Sequence, residues 1–91
     1  MSNNYQYPID LDWTNEEIAI VIKMWNGLEQ AYESSINREE LLNRYKAFKQ
    51  VVPSKMAEKQ LGNQFEKVSG YQLYGTIKKA RNSERKTISM P

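Results

Sequence analysis

Apolar residues recur with a helical period from Thr14 to Glu33. At about 100° per residue, Ile18, Val21, Ile22, Trp25, Leu28 and Tyr32 share one stripe, and Ile20, Met24, Gly27 and Ala31 form a second beside it. The combined arc covers roughly half the circumference, wider than the stripe of an ordinary surface helix. So much apolar girth must be covered on two sides, which predicts a central helix over 14–33 with later helices packed around it. Thr14 and Glu17 have the spacing of a capping box, and Trp13 and Ile18 that of a hydrophobic staple.

Three further helical periods follow. Ile36, Asn37 and Glu40 repeat the pattern of staple, cap and capping-box acid, with Leu41 as the staple partner. They introduce a helix over 38–51 whose core stripe is Leu41, Leu42, Tyr45, Phe48 and Val52, with Glu40 and Arg44 an exposed pair at a spacing of four. Pro53 ends it. Ser54 caps a helix over 55–68, whose narrow stripe of Ala57, Leu61, Phe65 and Val68 marks an outer helix. Ser69 and Gly70 terminate it, and Ser69 with Gln72 caps a fourth helix over 71–82. There Leu73, Ile77 and Ala80 face inward with Tyr74 beside them. The expected fold is all-α, an irregular array of four helices with an extended N-terminal arm and no sheet within one chain.

The ends read differently. Residues 1–4 are polar and expected to be disordered. Tyr5, Tyr7, Ile9, Leu11 and Trp13 then alternate with Gln6, Pro8, Asp10 and Asp12, the period of an extended segment with one apolar face. No second strand pattern exists to pair with it, and Pro8 disfavours a central strand. The expectation is an arm over 5–13 docked on its own domain, covering Ile20, Met24, Gly27 and Ala31 and burying Ile9 and Leu11. The alternative is an arm that joins a partner chain. A single domain over 5–82 is expected, with 83–91 a mobile basic tail.

Composition narrows the chemistry. Ninety-one residues suffice for one modest core. No run of about eighteen apolar residues exists, so no membrane span is expected. The N-terminus lacks a basic-then-apolar pattern, so no secretory leader is expected. Without Cys or His the chain lacks thiolate nucleophiles, disulfides, and the commonest general base and zinc ligand. The Gly residues are scattered and form no phosphate loop. No cofactor and no metal are expected, and the cytoplasm is the expected compartment.

The net charge of +2 hides an asymmetry. Asp10, Asp12, Glu16, Glu17, Glu29 and Glu33 outweigh Lys23 near the start. Lys78, Lys79, Arg81, Arg85 and Lys86 outweigh Glu84 near the end. The basic end can contact nucleic acid, or simply place cations near a helix C-terminus where the dipole favours them. The sequence pI of ≈ 8.9 lies below the usual basic threshold of about 9 and favours the second.

Two constellations invite a functional reading. Glu29 falls by angle between Ile22 and Trp25, inside the apolar arc. It either reaches water or a Lys or Arg, or is a partly buried proton-transfer group working with a tyrosine. Ser69-Gly70-Tyr71, with Tyr74 and Lys78 close by, forms either an anion or peptide-terminus site at a helix start or a plain helical corner. The candidate binding residues are Tyr71, Tyr74, Lys78, Lys79, Arg81 and Glu29, with no catalytic or metal-ligating set. The leading expectation is a non-enzymatic protein-interaction domain acting through the basic flank of the fourth helix or the arm. The alternative is an RNA- or DNA-binding module using Lys78, Lys79, Arg81, Arg85 and Lys86; an enzyme built on Glu29 ranks last. A monomer is expected, with an arm-mediated dimer as its rival.

A family resemblance rests on an ordered string of residues. It comprises Asp12-Trp13-Thr14, Glu17-Ile18, Glu29-Gln30-Ala31-Tyr32-Glu33, Arg38-Glu39-Glu40-Leu41-Leu42, Tyr45, Phe48-Lys49, Val52-Pro53-Ser54-Lys55, Glu58-Lys59-Gln60, Phe65-Glu66, Ser69-Gly70-Tyr71, Tyr74 and Lys78-Lys79-Ala80. Over residues 5–81 the chain resembles uncharacterised protein family zero-two-two-three, small cytosolic proteins of low-GC Gram-positive bacteria. The resemblance implies an irregular array of four helices. It implies no activity and transfers no site residue.

Overall fold

The computed structural model describes residues 5–91; the expectation for residues 1–4 lies outside the described residues. Four helices form: α1 (Asn15–Glu33), α2 (Arg38–Val51), α3 (Lys55–Ser69) and α4 (Leu73–Asn82). The starts follow the local chemistry. Thr14 accepts from the Glu17 amide at 3.1 Å while the Glu17 carboxylate accepts from the Thr14 amide at 2.8 Å, a complete capping box. Asn37 caps α2 through the Glu40 amide at 2.9 Å. The return bond is not made, because the Glu40 carboxylate goes to Arg44 at 2.8 Å. Ser54 caps α3 through the Ala57 amide at 3.2 Å. Gly70 closes α3 in the left-handed region at φ 82°, which a Cβ would strain.

α1 is the central helix. It lies chiefly against α2, with the short strand β1 (Ile36–Asn37) and α4 also in contact. Val21, Met24, Trp25, Leu28 and Ala31 are fully buried. The Trp25 ring stacks on Phe65 of α3 (centroids 4.6 Å, 16° between planes) and meets Phe48 of α2 edge-on at 5.5 Å. Gly27 belongs to the α1–α2 contact. A Cβ there would stand 3.3 Å from Leu41 Cδ1 and 3.4 Å from Arg44 Cδ, so the missing side chain lets α2 approach.

Gly27 therefore receives α2, not the arm. The arm lies on the domain elsewhere. Tyr5 and Tyr7 are half-buried, with rings 6.2 and 6.3 Å from that of Phe65. The Pro8 carbonyl accepts from Trp25 Nε1 at 3.0 Å. Beyond Pro8 the extended run breaks. Asp10 Oδ1 accepts from the Asp12 amide and the Asp10 carbonyl from the Trp13 amide, giving a tight turn with Leu11 at its tip. Ile9 is 38% exposed and Leu11 88%, so the expectation that both are buried fails. The alternation continued through a stretch whose Asp side chain stabilises a turn.

Three other expectations need correction. Ser69 stays within α3, its hydroxyl donating to the Phe65 carbonyl at 2.6 Å, and α4 starts only at Leu73 with no side-chain cap. Val68 is 43% exposed and Tyr74 75%, while Gly62 and Thr76 are buried instead. The reason is shared: α4 sets Leu73 against Gly62, which turns the Val68 flank of α3 and the Tyr74 flank of α4 outward. The third concerns the end of the chain, where a two-stranded antiparallel sheet forms between β1 (Ile36–Asn37) and β2 (Thr87–Ile88). Ile88 is 1% exposed, and the Met90 amide donates to the Ala31 carbonyl at 2.7 Å. Residues 87–90 are thus packed onto the end of α1 and are not a mobile tail. Arg38 closes the same end by donating to the Ala80 carbonyl at 2.6 Å, a cation at the C-terminus of α4.

Two substitutions test this packing in chemical denaturation. Trp25→Ala should cost about 3–5 kcal/mol, the range for emptying an aromatic core site. Ile88→Ala should cost about 2–5 kcal/mol; a loss under about 0.5 kcal/mol would put β2 outside the cooperative core.

Candidate functional site

α3 and α4 pack as a helical hairpin and leave a cleft of about 710 Å³ between them. Its floor is apolar: Gly62, Leu73 and Ile77 are buried there, with the half-buried Tyr45 of α2 at one end. Its walls carry Lys55 and Lys59 from α3 and Lys78 and Arg81 from α4. The spacings of four and three place each pair on one helix face. Among the described residues the ion pairs are Arg44–Glu40 and Lys49–Glu58, and neither uses these four cations.

The acids on the cleft are engaged. Glu58 accepts from the Tyr45 hydroxyl and from Lys49 Nζ, both at 2.6 Å. Glu66 accepts from Gln72 Nε2 at 3.3 Å. The Arg81 guanidinium stands 5.2 Å from the centre of the Tyr45 ring, within cation–π range, and Lys78 Nζ is 6.0 Å from that of Tyr74. Burial and the Glu58 carboxylate push the Tyr45 hydroxyl up to about 12, against the opposing pull of Arg81.

Three of the residues singled out from the sequence meet here: Tyr74, Lys78 and Arg81. Lys79 points away, donating to the Ser89 carbonyl at 2.7 Å. Tyr71 lies with α1, stacked on Tyr32 (4.4 Å, 13°) and donating to Glu33 at 2.7 Å, a bond that pushes its hydroxyl up to about 12. At the Ser69 corner the Gly70, Tyr71 and Gln72 amides are engaged, donating to the Glu66 carbonyl, Ser69 Oγ and the Tyr32 hydroxyl. Lys55, Lys59 and Tyr45 escaped the sequence reading. The spacing of Lys55 and Lys59 is visible in the sequence, but lysines are ordinary on the polar side of an outer helix.

Glu29 has a different job. Its carboxylate accepts from the Tyr5 hydroxyl, from the Tyr7 hydroxyl at 2.8 Å and from Asn26 Nδ2 at 3.1 Å. Burial, reinforced by Glu29, pushes both tyrosine hydroxyls upward, so they stay protonated as donors. Glu29 is neither paired with a Lys or Arg nor reaching freely into water. It anchors the arm.

Comparison with known proteins agrees along nearly the whole chain. The model of the Uncharacterised protein family (UPF0223) matches residues 4–89. A UPF0223 protein of Streptococcus gordonii is 49% identical over 90 residues, covering 99% of this chain and 98% of the relative. Relatives from Bacillus mycoides (45% over 87 residues, 94% and 98% covered) and Bacillus cytotoxicus (48% over 84 residues, 92% and 94% covered) carry the same family name.

The Tyr45–Glu58 bond yields a pH prediction. A hydroxyl whose folded-state value is raised adds stability that is complete below its ordinary value and is lost as pH rises through the folded one. The stability difference between the protein and Tyr45→Phe should be constant up to about pH 10 and shrink between about pH 10 and 12. Denaturation of both proteins across that interval checks it.

Proposed function

Because the chain belongs to the uncharacterised protein family UPF0223, whose name assigns no activity, we propose from the cleft itself that it is a non-enzymatic binding module for an acidic segment of another protein. The observation that carries this is the convergence of Lys55, Lys59, Lys78 and Arg81, without acid partners among the described residues, around an apolar floor. A segment with acidic side chains and one apolar side chain matches both parts. The charges steer and orient the partner, while the floor supplies burial. No helix of the described residues is long and apolar enough to cross a membrane, and a cytoplasmic location belongs to the same proposal.

A second reading has one observation in its favour. Tyr74 is exposed beside Lys78, an aromatic face next to a cation, as single-stranded nucleic acid requires. Against it, Tyr74 is the one large aromatic exposed at the cleft among the described residues, where a strand needs successive stacking faces. Lys79 is held by the chain's end, so the basic residues form no continuous track.

Affinity capture from host extract, with and without nuclease, separates the two. The protein should retain a partner after nuclease treatment. Lys78→Glu combined with Arg81→Glu should weaken that capture at least about tenfold, or about 1.4 kcal/mol. Captured material that vanishes with nuclease would shift the reading to nucleic acid.

A further inference from the structure

The five exposed large apolar side chains among the described residues are Ile9, Leu11, Met56, Val68 and Tyr74. Three of them, Ile9, Leu11 and Val68, border one groove of about 900 Å³ between the arm and α3, with Ile22 of α1 also in its lining. The tight turn at Asp10–Trp13 holds Leu11 outward beside this groove with 88% of its surface exposed. A leucine held at the tip of a hydrogen-bonded turn is ordered without gaining burial, an arrangement that leaves its apolar surface to be covered by something else.

Knob and groove carry opposite charges. Asp10 and Asp12, both exposed, bracket Leu11. Lys67, also exposed, lines the groove. An acidic apolar knob and a basic apolar groove lie side by side on one surface, as a two-fold contact needs, since each copy must present both halves. We propose that two copies of this chain associate through this surface. The Leu11 tip of each copy enters the arm–α3 groove of the other beside Val68, and Asp12 of each faces Lys67 of the other. This surface is separate from the α3–α4 cleft, and the proposal is independent of the function assigned to that cleft.

Analytical ultracentrifugation of the full chain tests the association. A concentration-dependent dimer should appear at or below about 1 mM. Leu11→Asp and Lys67→Glu should each raise its dissociation constant at least about tenfold, and Asp12→Lys added to Lys67→Glu should restore it. The chain has no Cys, which allows a positional check. Leu11→Cys and Val68→Cys, made as single variants and mixed under oxidation, should form the mixed disulfide dimer faster than either variant pairs with itself. All the substituted positions are exposed, so the variants should keep the native helical signal. A chain that stays monomeric to about 1 mM, or a dimer indifferent to Leu11 and Lys67, would overturn the proposal.

Discussion

The indole of Trp25 joins three separate parts of the protein. One face stacks on Phe65 of α3, its edge contacts Phe48 of α2, and its N–H donates to the Pro8 carbonyl of the arm. An indole buried to this degree needs a partner for its donor. The arm supplies that partner as a backbone carbonyl, which makes the arm part of the core's hydrogen bonding. The Glu29 anchor then follows from the helix. One turn beyond Trp25, Glu29 emerges beside the same strap and meets the two tyrosines that cover Phe65.

Small residues decide how the remaining helices sit. Gly27 admits α2 against α1, and Gly62 receives Leu73 of α4. The second contact sets the rotation of both α3 and α4. It buries Leu73, Thr76 and Ile77 and directs Tyr74, Lys78 and Arg81 to the cleft. The same rotation exposes Val68 beside the arm. The basic cleft and the apolar groove are two outcomes of one packing choice, on opposite flanks of α3.

The candidate site was half legible. Tyr74, Lys78 and Arg81 stand out because basic residues cluster late in the chain. Lys55 and Lys59 carry no such signal, since lysines on an outer helix are ordinary. Only the return of α4 along α3 brings them within reach of Arg81. Lys79 shows the converse. It is adjacent in sequence to Lys78 but is drawn to Ser89, because successive residues of a helix point about 100° apart.

The sequence by itself determined the four helices, the central place of α1 and the caps at Thr14, Asn37 and Ser54. Helical periodicity and capping act over a few residues, so the information lies within each segment. Only the tertiary structure decided the pairing of Ile36–Asn37 with Thr87–Ile88, the two-residue strands being too short to show a period. It likewise decided that α2 and not the arm would occupy Gly27, that Leu11 would leave the core, and that Glu29 would anchor two tyrosines. Each of these depends on which distant surface fits a shared contact best. That competition is settled by shape and burial across the whole chain, not by the order of residues at any one place in it.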